Sequence, residues 1–234
     1  MILHGPSLGI GAGFTAVVIV AVFFGMSIAG QEKELVLEEA EISNAPSQEI
    51  GLSVFTENGS PYLGDPNAPI TLVEFGDYQC FFCNKFFHDT EQKLLENYVD
   101  TGKVKIIFKD FTIIGPDSIT AAHAAHCSDD QGLFWEYHDM LYNNWSGENN
   151  GWASSENLLR MAQDVGLNID EFTDCMLNEI HTQIISASNA DARTLGLTGT
   201  PGFFVISPNN QVTKIPGAQP FDVFQKIFDS ELEK

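Results

Sequence analysis

Residues 70–83, with the sequence ITLVEFGDYQCFFC, decide the fold that the sequence predicts. The first six of them, ITLVEF, are apolar or β-branched apart from Glu74 and are typical of a buried strand. A helix is predicted over 80–99 by apolar residues at helical spacing, and KVKIIF at 103–108 predicts a second buried strand. A strand, a helix and a strand within about 40 residues form a βαβ unit, which requires a parallel strand pair and a right-handed crossover.

The segments on either side of this unit complete an α/β fold. Residues 52–56 predict a short strand, and about 117–195 contain only helical patterns, which predicts a helical insertion. Two further strands are predicted at 202–207 and 211–215, joined by the turn Pro208-Asn-Asn, and a closing helix at 221–228. We therefore expect one folded domain over 52–234, with the insertion between the two halves of its sheet.

The composition excludes one class of partner. The chain has 234 residues, of which 44% are hydrophobic, an ordinary share for a globular protein. Its formal net charge is -21, with 11 Lys and Arg against 32 Asp and Glu. Binding to nucleic acid needs basic side chains that displace counterions from the phosphates, so we expect no nucleic-acid partner.

The first 51 residues are predicted to lie outside the fold. Residues 8–30 carry no ionisable side chain, and that run has about the length that a bilayer-spanning helix needs. It predicts either a signal peptide or an uncleaved anchor; we favour the anchor because no Lys or Arg precedes the run. Residues 31–51 are rich in Glu and interrupted by Pro46, so they predict a solvated spacer after the anchor at 1–30.

Cys80 and Cys83 are the strongest chemical signal in the chain. They are three residues apart at the predicted start of a helix, directly after a strand. The free N–H groups and the dipole of a first helical turn favour a thiolate, so Cys80 would be a nucleophile and Cys83 could resolve a mixed disulfide. Two other interpretations stay open: a structural disulfide, or half of a zinc site completed by Cys127 with His123 or His126.

Cys127 and Cys175 both fall in the predicted helical insertion. Our hypothesis is that they form a structural bridge. In the chain-entropy model, closing a loop of that length would stabilise the fold by roughly 4 kcal/mol.

Three separated blocks resemble the DsbA-like branch of the thioredoxin superfamily. They are LGDPNAPITLVEFGDYQCFFC at 63–83, AAHAAHCSDDQGLFWEYHDMLY at 121–142 and LGLTGTPGFFVI at 195–206. The similarity covers about 64–228 and implies a thioredoxin fold. It also implies that Cys127 and Cys175 match a second disulfide found in part of that family.

The resemblance implies roles for single residues. Cys80 matches the nucleophile, Cys83 the resolving thiol, and Glu74 an acid that moves protons to and from the pair. Thr200 and Pro201 match a cis-proline loop that faces the cysteines and presents backbone to a substrate strand. An ordinary strand-edge carboxylate at Glu74 and an ordinary trans turn at Pro201 are the alternatives.

The residues between the two cysteines depart from the family pattern. The family often has Pro after the first Cys, and its strongly oxidising members have His next, whereas this chain has Phe81 and Phe82. Because Phe cannot stabilise a thiolate as His can, we expect a less oxidising redox potential. The two rings would also form an exposed apolar collar that binds polypeptide together with Thr200 and Pro201.

The sequence thus predicts a protein thiol-disulfide oxidoreductase, in the first place an oxidase of cysteine-containing exported polypeptides. A membrane redox partner would recycle it, and we expect no cofactor and no metal ion. Reductase or isomerase activity is one alternative, and a redox-silent peptide-binding or chaperone module with a structural disulfide is another. The expected location is the cell membrane, single-pass, with the catalytic domain on the extracytoplasmic side; the alternative is secretion after cleavage.

Overall fold

The computed structural model describes residues 51–234, which fold around a four-stranded mixed sheet. The strands are β1 (Ile70–Gly76), β2 (Val104–Asp110), β3 (Gly202–Ile206) and β4 (Val212–Pro216), in the spatial order β2-β1-β3-β4. β1 pairs in parallel with β2, whereas β3 is antiparallel to both β1 and β4. The predicted βαβ unit is therefore present, and β1 lies inside the sheet.

A long helix over 81–99 connects β1 to β2. It consists of α-helical turns at Phe81–Phe86 and Gln92–Leu94 that alternate with π-helical turns at Phe87–Glu91 and Leu95–Val99. Between β2 and β3 the described chain is helical. The helices there are Pro116–Asp129, Phe134–Asn143, Ser155–Val165, Ile169–Leu177 and Thr182–Thr194. The closing helix is Phe221–Leu232.

The expected strand at 52–56 is wrong, because this segment is a helical turn at Ser53–Thr56. Its one buried apolar side chain, Phe55, stacks edge-on against Phe204 at 5.0 Å. The carbonyl oxygens of Val54 and Glu57 accept hydrogen bonds from the buried Lys109 ammonium. The last carbonyl groups of a helical turn have no partner within the turn and can accept from such a donor. The sequence could not indicate this, because the segment has only one buried residue and therefore no periodic pattern.

Alternation along β1 sends its side chains to two different layers. Ile70 and Leu72 pack on the layer that contains Phe86 of the 81–99 helix. Val73 and Phe75 pack on the opposite layer. Because strand residues two apart share a face, Glu74 lies on the same face as Leu72, under the 81–99 helix.

The predicted membrane anchor and nearly all of the predicted acidic spacer lie outside the described residues. Over 51–234, the structure has no helix that combines the length and the apolar character needed to cross a bilayer.

Candidate active site

Cys80 is the last residue before the 81–99 helix. Its backbone is extended, with φ -71° and ψ 125°, and Phe81 begins the helix. The turn from β1 is closed by hydrogen bonds from the Cys80 N–H to the Asp77 carbonyl and from the Gln79 N–H to Asp77 Oδ1, at 2.9 and 2.8 Å. The turn therefore places Cys80 at the positive end of the helix.

Asp77 also ties this turn to the chain beyond β2. Its Oδ2 accepts hydrogen bonds from the N–H groups of Ile113 and Ile114 at 2.8 and 3.0 Å. One buried carboxylate thus organises two loops beside the cysteines. Sequence reasoning missed this residue, since an Asp after a strand is common and its partners are 36 and 37 residues away.

The two sulfurs are in different surroundings, although the structure has both as free thiols. The pKa of Cys80 is lowered to about 6 by a hydrogen bond with the Cys83 side chain, and further by Thr200 and the N–H groups of Cys83 and Phe82, against the opposing effect of burial. Burial raises the pKa of Cys83, which is 0% exposed, well above its usual value. Cys80 therefore loses its proton near neutral pH while Cys83 keeps one.

The loop before β3 faces Cys80. The Thr200–Pro201 peptide bond is cis, and the Thr200 carbonyl oxygen accepts from Cys80 Sγ at 3.4 Å. Antiparallel pairing of Phe75 with Gly202 holds this loop next to the end of β1. The Thr200 hydroxyl is buried and makes no hydrogen bond among residues 51–234, so it is available to the Cys80 sulfur.

Glu74 lies below the cysteines in the central strand, between Phe108 of β2 and Phe203 of β3. It is 3% exposed, and its pKa is raised by burial first, then by the charges of Glu91 and Cys80. Its carboxyl group therefore keeps its proton at pH values well above those at which a solvent-exposed Glu ionises. A strand-edge carboxylate, the alternative considered from the sequence, would not be enclosed in this way.

Sequence reasoning missed Glu91, which lies in a π-helical turn of the 81–99 helix and is 3% exposed. Burial, followed by the charge of Asp139, raises the pKa of Glu91 to about 8. Glu74 and Glu91 thus form a buried pair of acids under the cysteines. A Glu in a helical pattern resembles any solvated helix residue, so nothing in the local sequence marks it.

Phe81 and Phe82 are exposed, at 50% and 57% of their surface. Their rings lie 5.3 Å apart, and the Trp145 ring lies 5.9 Å from that of Phe81. These three aromatic side chains form an apolar rim beside Cys80, an arrangement suited to contact with extended polypeptide.

The loop 144–153 packs on the residues that precede the helix. Trp145 Nε1 donates to the Gln79 carbonyl at 2.9 Å, and the Asn149 N–H donates to Gln79 Oε1 at 2.8 Å. Between these contacts, Glu148 Oε1 accepts a hydrogen bond from the Phe81 N–H at 3.0 Å. These contacts span 66 to 70 residues of sequence, so local patterns could not predict them.

Cys127 and Cys175 form a disulfide, with their Cα atoms 5.8 Å apart. It joins helix Pro116–Asp129 to helix Ile169–Leu177. His181 lies beside the two sulfurs, but sulfurs bonded to each other are not the thiolates that a metal ion needs. Among residues 51–234, neither His123 nor His126 belongs to a cluster of possible ligands with Cys80 and Cys83, as the zinc alternative required. His126 instead bonds Asp110 at 2.7 Å, and His123 contacts Thr182 at 3.4 Å.

Comparison with known proteins agrees with this geometry. The family model described as thioredoxin matches residues 56–229. The probable disulfide bond formation protein D of Bacillus anthracis is 30% identical over 190 residues, which cover 79% of this chain and 83% of that protein.

Solved structures show the same relationship. Wolbachia pipientis alpha-DsbA1 is 27% identical with a TM-score of 0.66, over 75% of this chain and 91% of that one. A thioredoxin-like oxidoreductase from Silicibacter pomeroyi DSS-3 is 30% identical, also with a TM-score of 0.66, over 79% and 99%. The chain therefore belongs to the thioredoxin family, and within it to the DsbA-like thiol-disulfide oxidoreductases.

Proposed function

We propose that this protein oxidises cysteine pairs of exported polypeptides through the redox pair Cys80 and Cys83. The observation that carries the proposal is the inequality of the two thiols. Cys80 sits at a helix N-terminus beside the Thr200 carbonyl and has a pKa of about 6, while Cys83 is fully enclosed and its pKa is raised by burial. One sulfur is thus suited to meet substrate and the other to resolve the intermediate.

The reaction begins with the Cys80–Cys83 disulfide. A substrate thiolate attacks Cys80 Sγ, the bond between the two enzyme sulfurs breaks, and Cys83 leaves with the electron pair and takes up a proton. A second substrate thiolate then attacks the substrate sulfur of the mixed disulfide and releases Cys80 as a thiolate. Two electrons pass from the substrate to the enzyme pair, and the substrate gains one disulfide.

Glu74 is the proposed acid for the Cys83 proton. Cys83 leaves as a thiolate inside an enclosed site, where an unneutralised charge is costly. Glu74 is close enough to interact electrostatically with Cys83, and its raised pKa keeps it protonated at neutral pH. It can give a proton to Cys83 and regain one from solvent.

The thiolate pKa favours the oxidising direction over reduction. A stable thiolate stabilises the reduced enzyme, which makes the disulfide form a stronger oxidant. A Cys80 pKa of about 6 lies between ~7 for thioredoxin and ~3.5 for a His-bearing DsbA. This supports an oxidase with a lower redox potential than the His-bearing type. Phe81 and Phe82 stand where a His would lower the pKa of Cys80 further. The name of the Bacillus anthracis relative refers to the same direction of electron flow.

Phe81, Phe82, Thr200 and Pro201 are the proposed substrate-binding residues. The two rings offer apolar surface, and the Thr200 backbone lies beside Cys80 where a substrate strand would reach the sulfur. Such recognition depends on backbone and generic apolar contact, so it would accept many cysteine-containing polypeptides.

An extracytoplasmic site of action is the proposed location. The Cys127–Cys175 disulfide supports it, because such bonds persist in oxidising compartments. The apolar run at 8–30 supports a membrane anchor at 1–30, with an acidic spacer at 31–51 before the domain at 52–234. Secretion after cleavage is the alternative. A membrane redox partner would take the electrons from reduced Cys80 and Cys83.

The redox potential of the pair, measured by equilibration with glutathione, tests the proposal. We expect a value above roughly -180 mV, whereas one near or below about -250 mV would indicate a reductase. The exposed Phe81 and Phe82 also favour a second candidate, a redox-silent peptide-binding module. In that case the Cys80→Ser variant would retain peptide binding, and the native pair would not exchange with glutathione at all.

A further inference from the structure

The first N–H group of the active-site helix 81–99 is occupied by a side chain from another part of the fold. Phe81, the residue directly after Cys80, donates its N–H to Glu148 Oε1 at 3.0 Å, and the two residues are 67 positions apart. A negatively charged group therefore sits at the same helix terminus that stabilises the Cys80 thiolate.

The position of Glu148 is set by contacts on both sides of it in the chain. Trp145 donates to the Gln79 carbonyl at 2.9 Å, and the Asn149 N–H donates to Gln79 Oε1 at 2.8 Å. Gln79 itself is fully buried and directly precedes Cys80. Hydrogen bonds to Gln79 thus fix the loop of Glu148 to the turn that carries Cys80, and they hold Glu148 beside this cysteine.

No cation in the described part of the chain pairs with this carboxylate. Within residues 51–234, Glu148 has no ion pair with a Lys, Arg or His side chain. Glu74 interacts with Cys80 as well, but burial raises its pKa and favours its uncharged form. Glu148 is exposed, so its field at the sulfur is weakened by solvent and salt but not cancelled.

We propose that Glu148 is a positioning residue that tunes the pair Cys80 and Cys83, making it a weaker oxidant than the helix terminus alone would make it. The inference rests on the proposed function, because it needs Cys80 to react as a thiolate. The carboxylate repels the Cys80 thiolate of the reduced enzyme and has no net charge to repel in the oxidised enzyme. It therefore destabilises the reduced state relative to the disulfide.

The decisive variant is Glu148→Gln in the full-length protein. The Gln oxygen can still accept from the Phe81 N–H, so the variant removes the charge and keeps the contact. We expect the acid dissociation constant of Cys80, followed by thiolate absorbance, to rise about two- to fivefold, the effect of one charge at a helix terminus. The equilibrium with glutathione should shift by the same factor toward the reduced enzyme, a rise of about 9–21 mV.

Three controls separate charge from structure. Glu96→Gln removes an exposed carboxylate from the same helix roughly 20 Å away and should change neither constant. Glu148→Asp keeps the charge and should stay close to the native values. The differences in acid dissociation constant and in redox potential between the native protein and Glu148→Gln should shrink in about 0.5 M salt, where the Debye length is roughly 4 Å.

Unchanged constants in Glu148→Gln would overturn the inference, as would equal shifts in Glu96→Gln or in Glu148→Asp. Failure of the native pair to exchange with glutathione would instead refute the proposed function itself. The two failures are therefore distinguishable in one set of titrations.

Discussion

Cys80 and Cys83 carry the same side chain three residues apart, and their surroundings give them opposite acidities. Cys80 meets N–H groups of the first helical turn and the Thr200 loop, whereas Cys83 points into the interior and is enclosed. Hydrogen bonds to the charged form lower a pKa, and burial raises that of a thiol. The difference in role follows from where each side chain lies, one at the start of the helix and the other in the interior.

Thr200→Val should raise the pKa of Cys80. The Thr200 hydroxyl is buried and has no hydrogen-bond partner among residues 51–234, and the Thr200 side chain contributes to lowering the Cys80 pKa. Val has a similar volume but no donor, so we expect a rise of about one unit and a lower redox potential. Thiolate absorbance across pH measures this, and an unchanged titration would show that the hydroxyl does not reach the sulfur.

Glu74→Gln should slow the reaction more than it changes the equilibrium. Glu74 is buried and held protonated, so Gln matches its charge but cannot transfer a proton. We expect oxidation of a dithiol peptide to slow about 10- to 100-fold at pH 7, with little change in potential. A variant with native rate, measured by stopped-flow, would assign Glu74 a packing role.

The helical segment between β2 and β3 is held together by a covalent bond between two of its elements. The Cys127–Cys175 disulfide links helix Pro116–Asp129 to helix Ile169–Leu177, 48 residues apart in sequence. Residues of the same segment, among them Phe134 and Tyr137, pack with Cys83 in one cluster. The helical segment between β2 and β3 therefore supports the core around Cys83 as well as its own fold.

Replacing both Cys127 and Cys175 with Ala should lower the free energy of unfolding by about 4 kcal/mol, the size expected for a loop of this length. Urea denaturation measures the loss. Because Cys80 and Cys83 are a separate pair, their glutathione equilibrium should stay within twofold of the native value. A large change in that equilibrium would mean that the disulfide acts on the site and is not only a structural bridge.

At the scale of the whole domain, buried titratable groups make stability depend on pH. Burial raises the pKa of Glu91 to about 8 and that of Asp139 to about 6, with the charges of Asp139 and Glu136 respectively as the next causes. At these two groups the folded protein binds more protons than the unfolded chain. The stability that Glu91 and Asp139 contribute is therefore fully present below about pH 4.5 and is lost as pH rises. Burial of His138 lowers its pKa to about 3, so its contribution is lost instead as pH falls below about 6.5.

We therefore expect Glu91 alone to cost the oxidised protein on the order of 1 kcal/mol of stability per pH unit between pH 6.5 and 8. Glu74, whose pKa burial also raises well above its usual value, adds to this loss. The oxidised form is chosen because the lowered pKa of Cys80 adds stability with rising pH in the reduced form. Urea unfolding at several pH values measures the slope, and the Glu91→Gln variant should make it shallower, leaving the part that comes from Glu74. An equally steep slope in that variant would exclude Glu91 as its cause.

The amino-acid sequence by itself determined the βαβ unit and the place of Cys80 and Cys83 at a helix start. Strand and helix periodicity, and the spacing of two cysteines, arise from neighbours a few residues apart, so they can be read locally. The prediction of a short strand at 52–56 was wrong because a distant contact matters there. The carbonyl oxygens of this segment bind the ammonium of Lys109, about 50 residues away.

Only the tertiary structure decided how the site is tuned. Asp77 fastens two loops, Glu91 lies buried beneath the cysteines, and Glu148 reaches the first N–H of the active-site helix. Each of these is an ordinary acidic residue in sequence. Burial and distant partners set its charge and effect, and both exist only after the chain has folded.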